Sequence, residues 1–141
     1  MGILVQNLIK RGCITIKENA NIHELIELLN KNSIGCVVVL SEEKENPAGI
    51  ISERDLIRNY KKIFKNNNVK VSDVMTRKII SCTINASSAD IMETMTKNKI
   101  RHVPILHDHK LLGIVSIGDV VNRLIENYAQ EAKYLKEYIN S

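Results

Sequence analysis

Tryptophan is absent from this chain and phenylalanine occurs once. Without rings to spare, no platform for stacking single-stranded bases stands out. Charge of one sign is also not concentrated anywhere. The 20 basic and 16 acidic residues are spread along 141 positions and leave a net charge of only +4, whereas a nucleic-acid footprint is a clustered basic face. Nucleic acid is therefore not an expected partner. The three cysteines, Cys13, Cys36 and Cys82, are odd in number and form no Cys-x-x-Cys pair. That pattern predicts small buried hydrophobes in a reducing compartment. No apolar run approaches a membrane span. The start, Met1-Gly2-Ile3-Leu4-Val5-Gln6, lacks a basic-then-apolar signal and has Gln6 where myristoylation requires Ser or Thr. The expectation is a soluble, cytoplasmic protein with no membrane partner.

Catalytic signatures are missing as well. There is no Gly-x-Ser-x-Gly elbow and no Walker phosphate loop. His23-Glu24-Leu25-Ile26-Glu27 lacks the second histidine of a zinc-protease helix. His107-Asp108-His109 has metal-like spacing but falls in a turn with no third ligand, so a solvated turn is expected and no metal. Nothing supplies a base beside a nucleophile, which argues against an enzyme.

What the chain does have is a repeat. Gly49-Ile50-Ile51-Ser52-Glu53-Arg54-Asp55 returns 64 positions later as Gly113-Ile114-Val115-Ser116-Ile117-Gly118-Asp119. Upstream the offset is 66: Val5 falls on Val71, Arg11 on Arg77, Ile14 on Ile80, Ile34 on Ile100 and Val37 on Val103. The two extra residues of the first copy belong in the polar loop from Ser41 to Pro47, where added length costs little. A polar run, Lys65-Asn66-Asn67-Asn68, links the halves. Self-similarity over such a period means two equivalent modules. Each alone would be marginally stable, so the halves are expected to share an interface.

Each module reads in the same order. Cys13 to Ile16 is a short apolar strand, matched by Ile79 to Cys82. Asn21-Ile22-His23-Glu24 and Ser87-Ser88-Ala89-Asp90 have the form of capping boxes opening amphipathic helices. Gly35 to Leu40 is a continuous apolar run, predicting a strand buried on both faces, and Arg101-His102-Val103-Pro104-Ile105-Leu106 is its partner. A turn and a further strand then lead to a helix beginning at Ser52 or Ser116. The last helix is expected from about Asp119 to Tyr138, with an apolar stripe of Leu124, Tyr128, Leu135 and Tyr138 that exceeds one module's needs. The expected fold class is α+β (mixed α/β), as two β-α-β-β-α repeats.

That order, with Val71-Ser72-Asp73-Val74-Met75-Thr76 before the second unit, the Ile-Arg-His-Val-Pro-Ile strand and both Gly-h-h-Ser-x-x-Asp segments (h, apolar), resembles a tandem pair of CBS (cystathionine β-synthase) domains, a Bateman module. The resemblance covers roughly residues 5 to 130 and implies domains at 10–66 and 74–132, the last helix reaching about 139. It implies a pseudo-two-fold axis and two clefts that take adenosine-containing ligands. Copy one departs from the pattern where Gly35-Cys36-Val37 replaces the basic-His-apolar-Pro strand.

Candidate ligand residues follow from the repeat and the resemblance together. Ser52/Asp55 and Ser116/Asp119 are each a capping box by spacing alone. Facing a cleft, the same helix start would favour phosphate, and its aspartate would accept hydrogen bonds from a ribose diol. Arg101 and His102, beside Pro104, have the alternatives of a solvated strand end or contact with ligand phosphate. Thr15 and Ser81 lie just inside the first strands, where the backbone of Ile16 or Cys82 is as able to frame adenine as the hydroxyls. The expected function is a regulatory module sensing AMP, ADP, ATP or S-adenosylmethionine, with no required cofactor, and with a homodimer as the expected assembly. The alternative is a homodimerising scaffold with empty clefts.

Overall fold

The computed structural model describes residues 2–43 and 46–140. Met1, Lys44, Glu45 and Ser141 lie outside that set, and with them part of the loop assigned the two extra residues.

The first unit is a three-stranded sheet in the order β1-β2-β3. Strand β1 (Thr15–Lys17) runs parallel to β2 (Cys36–Leu40), and β2 is antiparallel to β3 (Pro47–Ser52). Helix α2 (Ile22–Asn32) crosses between β1 and β2. Cys36 to Val39 are all buried, as a strand covered on both faces requires. Helices α3 (Glu53–Arg58) and α4 (Tyr60–Lys65) close the unit. The second unit has α5 (Val71–Val74), α6 (Ser88–Asn98), the antiparallel pair β4 (His102–His107) and β5 (Lys110–Ser116), and the 24-residue α7 (Ile117–Asn140).

Two expected strands differ. The first begins at Thr15 rather than Cys13, because the chain is still leaving a helix there. Helix α1 (Ile3–Arg11), absent from the expected order, ends at Gly12 with φ 79°, and the Gly12 N–H donates to Leu8 and Ile9 carbonyls at 3.2 Å. The second, at 79–82, is reduced to one parallel bridge between Cys82 and Ile105. The Cys82 N–H donates to Pro104 (2.9 Å) and its carbonyl accepts from Leu106 (3.0 Å).

The repeat is followed closely by the backbone. The Cys36–Ser52 pairing corresponds to His102–Ser116, and the strand irregularity after Val39 to one after Ile105. Ser33 and Lys99 end α2 and α6 in the same left-handed conformation, φ 52° and 54°.

Each core borrows a helix from ahead of the opposite unit. Ile22, Leu25, Leu29, Val37, Val39 and Ile51 are completed by Val69, Val71, Val74 and Met75, which precede unit two. Ile91, Met95, Val103, Ile105, Val115 and Val120 are completed by Leu4, Val5 and Leu8 of α1, which precedes unit one. Val5 and Val71, equivalent in the repeat, are both fully buried. A buried valine contributes roughly 1.5–3 kcal/mol, so this exchange binds the halves together. It also brings Arg11 and Thr76 onto the ends of β5 and β3, where the paired Ser-x-x-Asp segments begin.

Candidate functional site

A cavity of about 580 Å³ opens between the units. From unit one it is lined by the turn Arg11-Gly12-Cys13-Ile14 and by Ser33-Ile34-Gly35-Cys36. Unit two contributes His102, Ile114 and Ser116. The first turn is placed by the end of α1, the second by the left-handed cap of α2, and Ser116 by the last residue of β5. The volume is in the range of small-molecule sites, roughly 300–1,000 Å³.

The Ser116–Asp119 segment forms the reciprocal cap that its spacing predicts. The Ser116 N–H donates to Asp119 Oδ2 at 2.8 Å, and the Asp119 N–H donates to Ser116 Oγ at 3.2 Å. The carboxylate does more than cap. Arg11 donates from Nη1 to Oδ1 at 3.0 Å and from Nη2 to Oδ2 at 3.1 Å, a two-pronged pair across the cleft. Nη2 also reaches the Ile114 carbonyl at 3.1 Å. Burial opposes ionisation of Asp119, but hydrogen bonds from Arg11 and Ser116 outweigh it and hold the carboxyl below its ordinary range. Hydrogen bonding to Asp119 likewise raises the Arg11 pKa.

The equivalent Ser52–Asp55 segment lies outside this cavity. Asp55 Oδ2 accepts from the Ser52 N–H (2.9 Å) and Oγ (3.2 Å), while Oδ1 accepts from Thr76 Oγ1 (3.0 Å). A neutral hydroxyl thus stands where Asp119 has a cation. Arg77, the repeat partner of Arg11, instead donates to the Ser72 carbonyl at 3.3 Å.

The other sequence-predicted residues are dispersed. Thr15 and Ile16 sit within β1, paired with Val38 and Val39, just beyond the lining residues Cys13 and Ile14. Ser81 is exposed, and Cys82 packs at the margin of the second core. Arg101 is exposed, and its carbonyl accepts from the Ile117 N–H at 2.8 Å. Pro104 is buried in the middle of β4, away from the cavity lining. Only His102 and Ser116 line the cavity directly, with Asp119 joined to it through Arg11. Arg11 itself was missed as a candidate, although its match with Arg77 is visible in the repeat. The Gly12–Ile14 and Ser33–Cys36 linings carry no chemistry of their own that would draw notice.

Electrostatics inside the cleft favour neutral bases and thiols. Burial pushes His102 down, more than Asp119 and Glu53 raise it, and Arg101 adds to the lowering. Burial pushes Cys36, in the cavity wall, up to about 12 and Cys82, outside it against the second core, up to about 11, which leaves both as inert thiols at neutral pH. Among the described residues no group of three His, Cys, Asp or Glu side chains could hold a metal ion. No helix among them is long and apolar enough to cross a membrane.

The family model for the CBS domain matches residues 5–62 and again 71–126. A mitochondrial CBS domain-containing protein of Arabidopsis thaliana, CBSX3, is 34% identical over 125 residues, covering 84% of this chain. The chain spans 59% of that relative's length. A CBS domain protein from Pyrobaculum aerophilum complexed with AMP superposes with a TM-score of 0.73 at 26% identity, covering 82% of this chain and 88% of that one. The CBS domain pair of protein MJ0100, in complex with 5'-methylthioadenosine and S-adenosyl-L-methionine, superposes with a TM-score of 0.70 at 27% identity, covering 84% and 98%.

Proposed function

Because this chain belongs to the CBS-domain family, with two copies of the domain in tandem, we propose that it is a regulatory module that binds an adenosine-containing molecule between its repeats. The observation that carries this reading is the cavity between the units, with His102 and Ser116 in its wall and the Arg11–Asp119 pair at its edge. Two relatives of the same fold hold AMP or S-adenosylmethionine. Adenine would lie against the turns at Cys13–Ile14 and Ile34–Cys36, whose backbone groups can frame its edge. The ribose diol would donate to Asp119. Arg11 would then swing from the carboxylate towards the phosphate, exchanging one charge-assisted partner for another. The Ser116 hydroxyl and the first N–H groups of α7 complete an anion site.

Such a module transmits occupancy and performs no chemistry of its own. Breaking the Arg11–Asp119 pair would loosen the end of α1 against α7, so ligand binding would be read at the helices. Its setting would be the cytoplasm. Two exposed apolar rows favour assembly as a homodimer: Ile57, Tyr60 and Phe64 on α3 and α4, and Val121, Ile125 and Tyr128 on α7, with Val121 and Tyr128 the repeat equivalents of Ile57 and Phe64. The same rows support a second reading, a scaffold that dimerises with empty clefts.

A thermal-shift and calorimetric panel of adenosine, AMP, ADP, ATP, 5'-methylthioadenosine and S-adenosylmethionine separates the two. A ligand at a hundredfold excess over Kd stabilises the fold by roughly 2.7 kcal/mol, an easily read upward shift. No shift with any member of the panel, alongside a stable dimer, leaves the scaffold.

A further inference from the structure

Helix α7 outruns the fold it belongs to. Val120 and Leu124 seat its first turns on the second core. Every residue from Ile125 to Asn140 is exposed, and a bare helix of that length is only marginally stable in water. The exposed apolar side chains are not scattered. Val121, Ile125, Tyr128, Ala132, Leu135 and Ile139 recur at alternating steps of four and three. That is the seven-residue repeat whose stripe faces a partner helix. The stripe is turned away from Val120 and Leu124, so packing on the second core leaves it uncovered.

The charges beside the stripe identify what fits over it. Glu131 directly precedes Ala132 and Lys136 directly follows Leu135, so they stand on opposite edges of the seam. Among the described residues neither forms an ion pair in its own chain. Arg123 and Glu126, off the stripe, pair with each other at 3.2 Å. When two identical helices lie parallel and in register, the residue at the first of these edges meets the one five positions on in the other helix. Glu131 of each copy then meets Lys136 of the other, twice by symmetry. With the helices antiparallel and Ala132 against Ala132, Glu131 would instead face Glu131. Isoleucine at 125 and 139 with leucine at 135 is also the arrangement that suits two strands.

We infer that α7 docks on α7 of a second copy of this chain, as a parallel two-stranded coiled coil over residues 121–139. Pairing as such rests on the homodimer favoured above. Direction and register rest on the heptads and charges of α7. The two-fold axis runs along the seam, the paired units of both copies sit at one end of it, and the two ends at Asn140 emerge together.

Cross-linking and sedimentation of the whole chain test the direction. In the parallel seam the two Ile139 positions are neighbours, within the reach of about 7 Å between Cα atoms that a disulfide needs. In the antiparallel seam they stand about 20 Å apart. Ile139→Cys with oxidised glutathione should therefore give at least about ten times more covalent dimer than the unaltered chain, whose three native cysteines serve as the blank. Glu131→Lys and Lys136→Glu, each alone, should raise the dimer dissociation constant at least about threefold. Both together should bring it back to within about twofold of the starting value. These exposed side chains belong to neither core cluster, and an unchanged melting temperature of the units establishes folding. A dimer that Ile139→Cys does not capture, or a charge swap that fails to restore affinity, overturns the parallel seam and leaves the homodimer. A chain that sediments as a monomer throughout overturns both, while the adenosine reading is decided separately by the ligand panel.

Discussion

Asp119 serves two purposes at once, as the return half of a helix cap and as the partner of a guanidinium from the other unit. Spacing in the sequence reveals only the first. Replacing it with alanine removes the ribose acceptor, and affinity for an adenosine ligand should fall by about 1.5–3 kcal/mol, one to two orders of magnitude. Unchanged affinity measured by calorimetry would reduce the segment to a cap. The glycines of the repeated motif allow a finer contrast. A Cβ on Gly49 would stand 2.7 Å from the Thr76 carbonyl, whereas on Gly113 its nearest neighbour is the Leu8 carbonyl at 3.4 Å. Gly49→Ala should therefore cost about 1–3 kcal/mol in urea melts, and Gly113→Ala distinctly less. Equal costs would mean that the exchanged segment before unit two does not press on β3 as described.

Among the elements, α7 is the one whose length has no use inside the fold. Its sole fully covered side chain among the described residues is Val120, while Ile125, Tyr128, Leu135 and Ile139 face outward at spacings of three, seven and four. Of the stripe expected from the sequence, Tyr128, Leu135 and Tyr138 are exposed while Leu124 packs against the second core, and the helix runs from Ile117 to Asn140. If the face is covered by a second copy, Ile125→Glu with Tyr128→Glu should turn a dimer into a monomer in sedimentation. The circular dichroism of the units should stay unchanged, since neither side chain belongs to a core cluster. A variant that remains dimeric moves the interface elsewhere.

For the molecule as a whole, acid should loosen the join between the units. Asp119 is held below the ordinary carboxylate range, so its contribution is complete above that range and is lost as pH falls through its folded value. His102 is held below the ordinary histidine range by burial, so the unfolded chain takes up its proton first and stability again falls with falling pH, starting earlier. Denaturation midpoints should therefore decline in two stages on acidification. His102→Gln should flatten the first stage and Arg11→Gln the second. A midpoint that stays flat from neutrality to the carboxylate range would contradict the His102 shift, and one that stays flat below that range would contradict the Asp119 shift.

The sequence by itself determined the duplication, the mixed α/β class, the buried run of β2, the helix starts at Ser52 and Ser116, and the overlong last helix. All of these are written in local periodicity and in side chains that cap their own backbone, interactions spanning a few positions. Tertiary structure alone decided that α1 packs on the second unit and α5 on the first, because helix exchange leaves no mark in the local pattern. That exchange carries Arg11 across 108 positions to Asp119. It also brings the unremarkable turns at Gly12–Ile14 and Ser33–Cys36 to face Ser116 and His102. A cleft is a relation between distant segments, and only the packing of the two cores fixes which of them meet.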